Sequence, residues 1–130
     1  SAPEVLLRLL HLGVEPYLAA STLGAVIEQR LLRRLCAGCR KSTGLSEEPF
    51  AAGGCETCAQ TGYKGRLLAA ELLTMDGPLR AAVLARAGTG ELLAAAGAQG
   101  WRGLWARGME QMRRGLTTQA ELRRVLMPVT

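Results

Sequence analysis

The sequence predicts a mainly α chain with a small β/loop insertion, in which short helices flank a segment carrying four cysteines. Three observations predict it. Apolar residues make up 48% of the 130 residues, yet there are only one Phe, two Trp and two Tyr. The core must therefore be built from Leu, Ala and Val, which favours helices over a β-sandwich. Apolar residues recur at helical spacing up to residue 35 and again after Pro78. From Ala37 to Gly65 that periodicity vanishes and Gly, Ser, Thr, Glu and Cys dominate.

Ser1 can cap a first helix, with Pro3 in its first turn and Glu4 near its positive end. Val5, Leu6, Leu9 and Leu10 supply the apolar face and Gly13 ends it. A second helix is expected from about Glu15 to Leu35, with Leu18, Leu23, Val26, Ile27, Leu31 and Leu35 as a buried stripe. Its last turns would hold Arg30, Arg33 and Arg34, where cations suit the helix dipole. The stretch 37–65 is too long for a structureless connection unless something ties it down. "RLLAAELLT", residues 66–74, reads as a short strand between Gly65 and Asp76-Gly77-Pro78. Three or four short helices are expected beyond it. One would carry Trp101, Leu104, Trp105, Met109 and Met112 on a single stripe, and the last opens on the capping box Thr118-x-x-Glu121.

The only cysteines are spaced Cys36-x2-Cys39-x15-Cys55-x2-Cys58. A Cys-x-x-Cys turn puts two sulfurs on one side of a tight knuckle, and two knuckles give four thiolates at the corners of a tetrahedron, as Zn²⁺ prefers. Glycines at 38, 53, 54 and 62 let the backbone turn and aim N–H groups at sulfur, and Arg34, Arg40, Lys41 and Lys64 would favour the thiolate form. Disulfides would require an oxidising compartment. A thioredoxin-like pair would need one Cys-x-x-Cys in a βαβ setting. The pattern predicts a zinc-ribbon-like segment with structural Zn²⁺ on Cys36, Cys39, Cys55 and Cys58.

Sixteen Lys and Arg against eleven Asp and Glu give a net charge of +5, which permits anionic partners and proves none. The first twelve residues lack the basic start and cleavage site of a signal peptide, and no apolar run reaches the ~18 residues of a membrane span. A reducing cytoplasm is the expected compartment, without membrane insertion. His11, the only histidine, has no acidic or cysteine partner at helical spacing and reads as an ordinary helix residue. Gly88-Thr89-Gly90 lacks the third glycine and preceding strand of a dinucleotide fingerprint, and no Gly-x-x-x-x-Gly-Lys-[Ser/Thr] loop occurs.

The surroundings of the cysteines say more. "GVEPYLAASTLGAVIEQRLLRRLCAGC", "GCETCAQTGYKGR", "AELLTMD" and "GAQGWRGLWARGMEQMRRGLTTQAELRRVL" follow one another in this order. Together they closely resemble the C-terminal part of the bacterial secretion ATPases that drive type II secretion and type IV pilus assembly. The resemblance implies three consecutive parts: the end of a RecA-like ATPase domain at 1–35, a tetracysteine zinc subdomain at 36–66, and a helical C-terminal subdomain at 67–130. It implies that ATP and Mg²⁺ bind only in a longer parent protein, a hexamer peripheral to the inner membrane that works with platform proteins. Arg33 and Arg34 would be candidates there for contacts with nucleotide or a neighbouring subunit. Two departures stand out. Leu67-Leu68-Ala69-Ala70-Glu71 replaces the family's Gly-Ile-Tyr-Glu-like stretch, which bears on local strand pairing, and Arg107 stands where an acidic residue is common. Two other classes compete. A nucleic-acid-binding zinc ribbon fits the basic charge, but only Phe50 and Tyr63 could stack on bases, so nucleic acid is not expected. A chaperone-like zinc module would need repeated Cys-x-x-Cys-x-Gly-x-Gly units, and the two pairs here are dissimilar.

Overall fold

The computed structural model describes residues 1–127, so the last three residues of the expected 67–130 segment lie outside the described residues. Among the described residues there are six α-helices and two two-stranded sheets. Helices α1 (Ala2–His11) and α2 (Pro16–Thr22) precede strand β1 (Ala25–Leu35); the short strands β2 (Lys41–Ser42) and β3 (Phe50–Ala51) and a 3₁₀ turn (Glu56–Cys58) follow. Strand β4 (Tyr63–Thr74) then leads into α3 (Gly77–Leu84), α4 (Thr89–Ala98), α5 (Leu104–Arg113) and α6 (Gln119–Leu126). Helix outweighs strand, but two strands of 11 and 12 residues make the chain less α than the sequence predicts.

The long second helix is the main correction. It stops at Thr22, and residues 25–35, with Arg30, Arg33 and Arg34, form β1, the hydrogen-bonded neighbour of β4. Leu23 is already extended at the helix end and is followed by Gly24, a poor helix former, and by the β-branched pair Val26-Ile27. Val26, Leu32 and Leu35 are buried, whereas Ile27 and Leu31, counted in the helical stripe, are 66% and 53% exposed. A helical and an extended pattern share enough positions here that a strand partner decides between them. The expected strand at 66–74 forms and is extended back to Tyr63, so the departure at 67–71 does not prevent pairing.

The chain divides into two compact units, each made of two pieces. The first comprises 1–28 and 70–103, and its core gathers Leu6, Leu73, Leu79, Val83 and Leu92. Asp76 caps α3 by accepting from the Leu79 N–H at 2.9 Å. The buried Glu71 accepts from the Ala2 N–H. The second comprises 29–69 and 104–130, with Leu32, Ala69, Met112 and Leu122 at its centre. The Trp–Met stripe is split accordingly. Trp101 precedes α5 and packs on the first core, while Leu104, Met109 and Met112 serve the second. Gly103 and the turn before it end the helical spacing on which the stripe rested. Arg107, at the departure from the family pattern, lies 3.8 Å from Glu110 on the same helix.

Leu122 is fully buried and Leu68 is 54% exposed. Leu122→Ala should therefore destabilise the chain by about 2–5 kcal/mol, the range for emptying a filled core site. Leu68→Ala should stay within about 0.5 kcal/mol, as for surface substitutions. Denaturant titration of the two variants side by side checks the contrast.

Candidate metal centre

The first knuckle begins where β1 ends. Cys36 N donates to Gly62 O at 2.9 Å, and Cys36 O accepts from Cys39 N at 3.3 Å and Arg40 N at 3.0 Å, which closes the turn. The second repeats this: Cys55 O accepts from Cys58 N at 3.3 Å and Gln60 N at 2.8 Å. Two glycines make room for the approach. A Cβ on Gly53 would lie 2.0 Å from Cys39 O. Gly62, at φ +78°, would bring one within 2.8 Å of Gly53 O. Between the knuckles β2 and β3 pair antiparallel, Lys41 opposite Ala51 and Ser42 opposite Phe50.

This backbone gathers all four predicted cysteines. Their Sγ atoms lie within 4.8 Å of one another. Cys36 and Cys55 are 3.8 Å apart, Cys39 and Cys58 3.7 Å, and Cys55 and Cys58 3.8 Å. A disulfide needs about 2.05 Å, so none is formed. Four sulfurs on a tetrahedral ion at bonds of ~2.3 Å would stand about 3.8 Å apart. The donor set and its spacing thus fit a thiolate-binding metal ion.

The sulfurs differ in acidity. Burial raises the Cys58 thiol, but backbone N–H groups, with Gly62 N at 3.2 Å, and the neighbouring sulfurs outweigh it and bring it down to about 6. Cys55 is lowered mainly by a backbone hydrogen bond. Cys39 is pushed up to about 12 by burial and by the sulfurs around it. Close thiols cannot all ionise unaided; a bound cation reverses that by deprotonating its ligands. Of the basic side chains expected to favour thiolate, Arg40 is engaged elsewhere. The Arg40 guanidinium lies 4.0 Å over the Phe50 ring and donates to Gly115 O at 3.0 Å, while Arg34, Lys41 and Lys64 are exposed.

Beside the cysteine segment, in the same unit, is a carboxylate whose role the sequence does not reveal. Thr118 caps α6 by accepting from Glu121 N at 3.2 Å, but the Glu121 carboxylate does not complete a capping box. It is fully buried and accepts from Arg33 N at 2.8 Å, Arg33 Nε at 2.9 Å and Arg124 Nε at 2.8 Å. Arg33 also lies 4.2 Å over the Tyr63 ring. Burial would raise Glu121, yet the two guanidiniums and the Arg33 N–H overcome it and hold it at about 2. Of the two arginines singled out from sequence, Arg33 is thus engaged within the chain and Arg34 is exposed. His11 is exposed on α1. Gly88 forms the N-cap of α4. No helix among the described residues is long and apolar enough to cross a membrane.

Comparison with known proteins agrees with the resemblance. Residues 1–124 match the family model of the type II/IV secretion system proteins. The chain is 34% identical to the type IV pilus assembly ATPase TfpB of Acinetobacter baylyi, over 99% of this chain and 25% of that protein. It is 39% identical to the type II secretion system protein HxcR of Pseudomonas aeruginosa, over 95% of this chain and 26% of that protein. Against the type IV pilus assembly ATPase PilB of Thermus thermophilus the identity is 34%, over 93% and 15%. The chain spans about a quarter or less of the length of these curated relatives.

Glu121 titrates at about 2 in the folded chain against an ordinary 4.5, so it binds a proton less readily folded than unfolded. Its stabilisation is complete above pH ~4.5 and is lost as pH falls towards ~2. Glu121→Gln should cost about 3 kcal/mol at neutral pH, and the gap from the wild type should close across that window. Unfolding curves from pH 7 to 2 test this, acid release of any bound metal being common to both proteins. A gap that stays constant with pH would rule out the carboxylate charge as its source.

Proposed function

Because the chain belongs to the type II/IV secretion system protein family, we propose that it is the C-terminal, zinc-holding part of a secretion ATPase that powers type II protein secretion or type IV pilus assembly. The observation that carries this reading is the set of four sulfurs within 4.8 Å of one another inside the matched residues. Cys36, Cys39, Cys55 and Cys58 hold Zn²⁺. The ion supplies four thiolate bonds and leaves no open position, so its part is structural. Gly53 and Gly62 bring the knuckles together, and Gly62 N–H stabilises charge on Cys58. ATP and Mg²⁺ bind elsewhere in the parent protein, in line with the lack of a Gly-x-x-x-x-Gly-Lys-[Ser/Thr] loop in these 130 residues. The parent works as a cytoplasmic hexamer at the inner membrane, against neighbouring subunits and platform proteins. The segment 1–35 closes the sequence of its ATPase domain, and 67–130 supplies the C-terminal helices, which are shared between the two compact units. Arg33 and Arg34, both exposed on β1, are the candidates for a contact with a neighbouring subunit or nucleotide, Arg33 also pairing with Glu121. Against a nucleic-acid ribbon, both rings that could stack on bases are covered by guanidiniums, Phe50 by Arg40 and Tyr63 by Arg33.

The purified chain should contain about one equivalent of zinc and show no Mg²⁺-dependent ATP hydrolysis. In the full-length protein, Cys39→Ser or Cys58→Ser should leave nucleotide affinity nearly intact and abolish secretion or pilus assembly. Nucleotide binding and secretion are measured at matched protein levels. Normal secretion by a zinc-free variant would remove the metal centre from the mechanism, and equal loss of nucleotide affinity would indicate global unfolding.

A further inference from the structure

The stretch Gly115-Leu116-Thr117-Thr118, between α5 and α6, is gripped residue by residue by the segment around the cysteines. Gly115 O accepts from Arg40, and at φ +73° a Cβ here would lie 2.6 Å from the Phe50 ring, so only glycine fits against it. Leu116 O accepts from Leu35 N at 2.8 Å. Thr117, fully buried, donates through Oγ1 to Arg33 O at 2.9 Å. Thr118 Oγ1 is 2.7 Å from the Tyr63 hydroxyl. Just beyond, Glu48, in the loop between β2 and β3, accepts from Gln119 N at 2.8 Å and so satisfies one of the free N–H groups at the start of α6.

Two further facts give these contacts consequence. An eight-residue helix such as α6 is far below the length that is stable unaided. And between residues 36 and 66 only Cys36, Cys58 and Gly62 are buried, so this segment contributes no aliphatic side chain to a core of its own. Whatever holds the sulfurs together holds the segment's shape. We propose that Gly115–Thr118 is a clasp through which metal binding at the four cysteines and the ordering of α6 become one equilibrium. Arg40, Glu48 and Tyr63 are its positioning residues. The inference rests on the reading of the cysteines as a metal site. It assigns α6, far along the chain from any ligand, to the state of that site.

The test measures amide hydrogen exchange of the whole chain with zinc bound and after chelation, with metal content determined in each sample. Chelation should speed exchange at Gln119, Glu121 and Leu122 by about tenfold or more. Leu79, Val83 and Leu92, in the other unit, should be unaffected. By reciprocity, Tyr63→Phe and Glu48→Ala, which leave all four sulfurs in place, should weaken zinc affinity by about two- to tenfold. One equivalent of zinc with α6 exchange unchanged on chelation would overturn the clasp alone. Equal loss of protection in both units would overturn it too, since the coupling would then be global. A chain that takes up no zinc would defeat the metal reading, and the clasp with it.

Discussion

The cysteine segment of the second unit depends on keeping four sulfurs within 4.8 Å of one another without a bond between any two. Such a cluster is costly by itself. Ionised thiols repel and burial disfavours their charge, so Cys39 is pushed up, while Cys58, which receives backbone N–H hydrogen bonds, is brought down. The surrounding chain relieves this only at Cys55 and Cys58, through backbone hydrogen bonds. Its contribution is geometric: two closed knuckles, two glycines where a side chain would collide, and an N–H aimed at Cys58. That is a frame suited to a divalent ion, and the hairpin, the 3₁₀ turn and the start of β4 are all shaped by it.

The buried carboxylate of Glu121 does a different job. Burying a charge is costly unless it is paired and fully hydrogen-bonded. Glu121 meets both conditions by taking the backbone N–H and the guanidinium of Arg33 from β1 and the guanidinium of Arg124 from its own helix. The pairing ties α6 to β1 beside the packing of Leu122. Ion pairs nearer the surface, such as Arg113 with Glu47 at 2.7 Å, add little by comparison because both partners are largely exposed.

Much of this was legible in the residues. The metal-ligand spacing pointed to the four cysteines that converge, and the turn and capping residues pointed to α1 and to three or four helices in the last third of the chain, where four form. The strand at 66–74 was read from its glycine and proline borders. What was not legible is instructive. Residues 25–35 carry a spacing compatible with a helix, and only pairing with β4, a partner distant in sequence, resolves them as a strand. Glu121 sits at the third position of a capping box, so a local role accounted for it; its partner Arg33 lies 88 positions away. Arg40 beside a cysteine suggested thiolate stabilisation, yet stacking on Phe50 takes its guanidinium away. In each case a long-range contact overrode a sound local rule.

The division of the chain into two units, each assembled from two separate pieces, bears on how the protein is made. Residues 1–28 cannot complete their core until 70–103 have been translated, and the cysteine segment is finished long before α6 exists. During synthesis the knuckles therefore emerge while the residues that will grip them are still unmade. Nascent thiols in that interval are open to whatever the compartment offers, metal or oxidant, and domains otherwise tend to fold as units while the chain emerges. The order of the pieces along the chain thus places α1 and α2 before the cysteines and α3, α4 and α6 after them, so both the first core and the grip on the knuckles are completed only once the cysteines have emerged.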